Sequence, residues 1–113
     1  MLSVALLRDL FRNLHAFRAL YEQEGVDLIV GPGGEEICLW DLENIYSQIK
    51  DILPPRQYQA IEWFLVWNQR EATVAEMMGI SPTTPVGSYA TAGLEKIVAM
   101  MEDGTLPRMA LVG

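Results

Sequence analysis

Three short runs of helical spacing, separated by breakers, fill residues 55 to 97 and constrain this chain more than any other feature in it. Pro54-Pro55 ends whatever precedes it and leaves a proline in a first helical turn, where its missing N–H is not needed. Ile61, Phe64 and Leu65 then fall on one face, with Trp63 and Trp67 alongside, until Asn68-Gln69-Arg70 interrupts the pattern. A short helix from about Glu71 to Met78 turns Val74, Ala75 and Met78 inward and stops at Gly79, a residue suited to a left-handed cap. Ile80 plugs the space between helices, Ser81 through Pro85 make a turn, and helical spacing resumes at Val86, Ala90, Gly93 or Leu94, and Ile97. The small Ala90 and Gly93 allow the last helix to pack closely on the one before it. A helix, a tight turn opening on glycine and a helix with a partly small inner face follow helix-turn-helix grammar.

The first half reads differently. Leu6, Leu10, Leu14, Phe17 and Tyr21 recur every three or four residues, widened by Leu7, Phe11 and Leu20, and predict one amphipathic helix from Ser3 to about Glu24, capped by Ser3 and ended by Gly25. Such a broad apolar face serves either the core or a partner chain. Gly31-Pro32-Gly33-Gly34 sits between two apolar runs and predicts a β-hairpin with strands Asp27 to Val30 and Glu36 to Leu39. Asp41 then caps a second amphipathic helix on Leu42, Ile45, Tyr46, Ile49 and Leu53. The expected fold is mainly α: a helical domain with a C-terminal helix-turn-helix and a small β-hairpin near residues 27–39. Its parts are an N-terminal helix, hairpin and helix over 1–53, the helix-turn-helix over 54–103 and a tail over 104–113.

Composition narrows the chemistry. A chain of 113 residues, half hydrophobic and a fifth charged, has the make-up of one small globular domain. Its apolar runs are far shorter than the roughly 20 residues of a membrane span, and Arg8, Asp9 and Arg12 break any secretory pattern, so a cytoplasmic protein is expected. Cys38 and His15 are single residues of their kind, too few for a zinc finger or a disulfide, and each reads as a packed or interface side chain rather than half of a hydrolytic pair. The hairpin glycines are followed by Glu35 and Glu36, which put negative charge where a phosphate cradle would hold its ligand. No carboxylate pair, triad or metal set has supporting context, so neither an enzyme nor a cofactor is expected. Trp40, Trp63 and Trp67 read as core or hairpin cover before stacking platforms, and the six methionines as core filler before an adaptable partner surface.

Leu53-Pro54-Pro55-Arg56-Gln57 resembles the leucine-proline-x-arginine-glutamine opening of region four of bacterial sigma factors and of the similar carboxy-terminal domains of response regulators. Val74-Ala75-Glu76-Met77-Met78-Gly79-Ile80-Ser81 resembles that family's isoleucine-alanine-glutamate-x-leucine-glycine-isoleucine-serine, and the likeness continues, one residue longer near Pro85, through Val86, Ser88, Ala90, Leu94, Lys96 and Ile97. It covers about 45 residues, in the family's order, and is the kind of domain that a small phage-encoded regulator carries. The resemblance implies that the helix after Ser81 enters the DNA major groove, with Thr83, Thr84, Ser88, Tyr89 and Thr91 facing bases or phosphates and Arg56, Gln57, Arg70 and Lys96 serving phosphate.

Charge pulls the other way. The formal charge is −7, with nine acidic residues against four basic ones in residues 1–53 and six against four in residues 54–113. Because Lys and Arg supply most non-specific affinity for nucleic acid, a single copy with three or four usable cations binds weakly. The expectation is therefore a DNA-binding transcriptional regulator of sigma region four-like type that works as a homodimer, paired through Leu6, Leu10, Leu14, Phe17 and Tyr21. Its alternative is an acidic interaction module that mimics a sigma domain and docks on RNA polymerase, a sigma factor or a host regulator without tight DNA binding. The DNA-recognition subunit of a phage packaging machine is a third reading, marked by ring-forming oligomers.

Overall fold

A computed structural model describes residues 2–109. The chain is mainly helical: α1 (Val4–Arg12), α2 (Leu14–Glu24), a two-stranded antiparallel hairpin of β1 (Leu28–Val30) and β2 (Glu36–Cys38), α3 (Leu39–Ile52), α4 (Pro55–Ala60) continuing as a π-helical stretch (Ile61–Val66), α5 (Glu71–Met78) and α6 (Val86–Asp103). One hydrophobic core runs through both halves, from Leu7, Phe11 and Ile37 to Ile61, Leu94 and Ile97.

The predicted N-terminal helix is two helices. Ser3 caps α1 as expected, its Oγ accepting the Leu6 N–H at 3.0 Å. At Asn13 (φ −105°, ψ 9°) the chain leaves helical geometry. The Asn13 amide Nδ2 donates to the Asp9 carbonyl at 2.8 Å, and the Asn13 N–H reaches the same oxygen at 3.2 Å. An asparagine that offers its own backbone a local partner competes with helix propagation, and α2 restarts at Leu14 in a new direction, ending in left-handed Gly25 (φ 69°).

This break decides the fate of the apolar stripe. Leu6, Leu10 and Leu14 are buried in the chain's own core, as are Leu7 and Phe11. Phe17 is half-buried, and Leu20 and Tyr21 are exposed, Tyr21 edge-to-face on Trp40 at 4.9 Å between ring centres. The expected dimer face is thus spent within one chain: α1 needs it to pack on α6 and on the π-helical stretch.

The hairpin forms about its glycine turn, with Leu28 opposite Cys38, Ile29 opposite Ile37 and Val30 opposite Glu36. Glu35 folds back so that its Oε2 accepts the Gly33 N–H at 2.9 Å. Asp41 is not the cap of α3. The strand passes straight into the helix at Leu39, whose N–H is taken by the Asp27 carbonyl at 2.7 Å, and Asp41 falls in the first turn. Tyr46 on α3 packs against Phe11 (5.8 Å) and Tyr58 (6.3 Å). Burial pushes the Tyr46 hydroxyl well above the ordinary phenol range, helped by neighbouring Tyr58 and Glu62, and burial raises Tyr58 in the same sense.

The segment after Pro55 also departs from simple periodicity. The Trp67 N–H donates to the Glu62 carbonyl, five residues back, at 2.9 Å, the bond pattern of a π turn. The wider turn lets Ile61, Leu65 and Val66 all reach the core. Asn68 then takes a left-handed backbone (φ 52°), a conformation asparagine tolerates, and reverses the chain into α5. Gly79 (φ 71°) ends α5, with the Ile80 N–H bonded to the Ala75 carbonyl at 3.0 Å. Residues 104–109 fold back on α6: Leu106 and Met109 are buried, and the Arg108 guanidinium donates to the Met101 and Glu102 carbonyls at 3.2 Å each; the rest of the expected tail, 110–113, lies outside the described residues.

Candidate nucleic-acid interface

Seven residues, 79 to 85, join α5 to α6. The turn is held at Ser81: its Oγ lies 2.9 Å from Thr83 Oγ1, and its carbonyl accepts the Thr84 N–H at 2.9 Å. Thr83 is exposed and Thr84 half-buried. Along α6 the buried residues Val86, Ala90, Gly93, Leu94, Ile97 and Met101 fix the inner face. At 3.6 residues per turn the opposite face presents Ser88, Ala92, Glu95, Ala99 and Glu102, with Lys96 beside it.

Gly93 makes the inner contact tight. A Cβ there would lie 2.8 Å from Ile61 Cδ1 and 3.3 Å from Gln57 Cβ. The small residue thus serves α4 and the π-helical stretch, not α5 as the sequence suggested. The same packing corrects the reading of Gln57: it faces inward against α6, half-buried, with its Oε1 enclosed and without a hydrogen-bond partner.

Two other predicted positions lie at the edges of the outward face, each holding an arginine. The Arg8 guanidinium of α1 donates to Thr91 Oγ1 at 2.7 Å. On the other flank, Arg56 Nη1 reaches the Tyr89 hydroxyl at a longer 3.4 Å. Arg8 was not among the sequence candidates; it lies 83 residues from Thr91, and nothing local in the chain signals the pairing. Arg56, Arg70, Ser88 and Lys96 are exposed as expected, whereas Tyr89, packed against the core, and Thr91 are half-buried.

The remaining charges are unevenly distributed. Arg12 lies over the Phe64 ring (5.2 Å to its centre), and Arg18 pairs with Glu43 at 2.8 Å. The Glu71 carboxylate stands beside Gly87, 3.4 Å from where a Cβ would be, so one negative group borders the first turn of α6. The outward face therefore has two halves: a small, hydroxyl-bearing first half flanked by Arg8 and Arg56, and an acidic second half carrying Glu95 and Glu102.

Among the described residues no three of His, Cys, Asp and Glu come together as a metal-binding group, and no helix is long and apolar enough to cross a membrane. Comparison with family models, with curated proteins and with solved structures gives no match to this chain.

Proposed function

We propose that the chain is a DNA-binding transcriptional regulator in which the first half of α6 meets the duplex. The observation that carries this reading is the pair of arginines, Arg8 through Thr91 and Arg56 through Tyr89, that bracket Ser88 and Ala92. Each guanidinium has five N–H donors, so the one engaged with α6 leaves the others for phosphate oxygens. Between them the side chains are small, which lets the helix approach closely, and Ser88 can bond a phosphate or a base edge. Sequence discrimination is modest, because no bidentate arginine points at the bases. With a handful of phosphates neutralised per copy, binding is weak and steeply salt-dependent, and it gains from a second copy or a partner.

The test is a titration of labelled duplex DNA at low and moderate salt. Binding at low salt is expected, with Arg8→Gln and Arg56→Gln each weakening it across sequences and each reducing the salt slope by about one. Absence of binding at low salt overturns the reading. Glu71→Gln, which removes the carboxylate beside Gly87, is expected to tighten binding.

The acidic second half of the same face favours one other reading: a module that docks on RNA polymerase or another regulator through Glu95 and Glu102. In that case a polymerase complex survives Arg8→Gln and is lost on Glu95→Lys with Glu102→Lys.

A further inference from the structure

The hairpin leaves one edge of β1 open. Gly31 bonds Glu35 (2.7 Å) and Leu39 bonds Asp27 (2.7 Å) across the ladder, so in this antiparallel register the odd residues of β1 face β2. The N–H and C=O groups of Leu28 and Val30 point the other way, and no hydrogen bond among the described residues engages them. The side chains of these two residues are 48% and 68% exposed.

Beside that edge runs an apolar trough. Phe17, Ile29 and Val30 line both a hollow of about 120 Å³, closed by Leu20 and Leu39, and an open groove of about 400 Å³ that ends at Leu6 and Pro32. Set against the ~150 Å³ that holds a benzene ring, these spaces take several aliphatic side chains. An open strand edge beside apolar pockets is the arrangement by which extended peptides add to sheets.

Charge identifies the occupant. Asp9 lines the open end, Asp27 leads into β1, and Glu36 sits directly opposite Val30. The arginines of α1 and α2 are drawn elsewhere, Arg8 to Thr91, Arg12 to Phe64 and Arg18 to Glu43. A second copy of this chain would bring the same carboxylates and a further charge of −7 to the edge, and like charges set opposite one another in a sheet repel.

We propose that β1 is the docking edge for an extended segment of a partner protein in which apolar and basic residues alternate. That segment adds as a third strand: its apolar side chains fill the trough, and its Lys or Arg stems cover Leu28 and Val30 with their heads at Glu36, which shares that face by strand alternation. This site shares no residue with the outward face of α6, so either proposal can fail without the other.

The probe is a capped octapeptide alternating valine and lysine, titrated by anisotropy against the full chain at low salt. Saturable binding is expected, weakened about tenfold or more when glutamate replaces lysine, and likewise when the same residues are arranged as a valine block and a lysine block. Val30→Pro removes an outward N–H without breaking a ladder bond, and it is expected to weaken binding by a similar factor. Should that variant fold poorly, peptides N-methylated at alternate backbone nitrogens replace it on the unaltered protein: methylation in one register abolishes binding and in the other leaves it. No binding, equal binding of the lysine and glutamate peptides, or indifference to both Val30→Pro and N-methylation overturns the proposal. Self-association that Val30→Pro abolishes and the lysine peptide does not displace overturns it too, in favour of a second copy.

Discussion

Helices α1 and α2 follow one another along a single apolar stripe, yet they play opposite parts. Nine residues of α1 bury Leu6, Leu7, Leu10 and Phe11, while eleven residues of α2 bury Leu14 alone. α1 lies between α6 and the π-helical stretch and sends Arg8 and Arg12 onto that side. α2 turns away at Asn13 and leaves Leu20 and Tyr21 exposed beside the hairpin. Equal amphipathic spacing therefore says that a face will be covered, and the break in direction says by what: core for the first helix, the wall of a trough for the second.

The sharpest way to break this comparison is to put a carboxylate on each helix. Leu10→Asp strands an unpaired charge in the core and is expected to abolish cooperative unfolding, whereas Leu20→Asp on α2 is expected to shift the urea midpoint little. A folded, monomeric Leu10→Asp protein would restore the stripe as an interface. Next in size is Gly93→Ala, which drives a methyl group into Ile61 and loosens the α6 seat on which α1 rests; a loss of about 1–3 kcal/mol is expected from chemical denaturation.

A pH scan sharpens the contrast further. Tyr46 packs on Phe11 of α1, and its pKa is raised in the fold, so its neutral form is the one the folded state favours. Its contribution is fully present below the ordinary phenol value of about 10 and is lost as pH rises beyond it. The denaturation midpoint is expected to hold up to about pH 10 and then to fall, less steeply in Tyr46→Phe. The smallest effect is expected at the Arg18–Glu43 pair that ties α2 to α3. Both side chains are about one-third exposed, and Glu43→Gln is expected to cost about 0.2–1 kcal/mol, vanishing at high salt.

What was legible in the chain is what single residues enforce. Gly31-Pro32-Gly33-Gly34 marked the hairpin to within a residue or two of its observed strands, Gly79 and Gly25 marked helix ends, and Pro55 marked the start of α4. The misreadings needed distant partners to resolve. Spacing alone cannot separate one helix from two when Asn13 falls between apolar positions, nor show that Gln57 turns inward because Gly93 leaves room for it. The flank of α6 was hidden for the same reason: Arg8 looks like a solvated charge on α1 until the fold brings it to Thr91. The trough is not legible in the chain, because an open strand edge is a property of backbone bonds, which side-chain patterns do not record.

The π turn between Ile61 and Val66 also bears on how this segment tolerates change. One residue beyond the ordinary repeat is absorbed there, and everything after it is rotated by about a quarter-turn relative to an uninterrupted α-helix. Deleting a residue in this stretch would straighten the helix and swing Trp67 and Asn68 out of phase, carrying the reversal into α5 to the wrong side. Insertions and deletions here act as a dial on the direction of the chain rather than as simple changes of length.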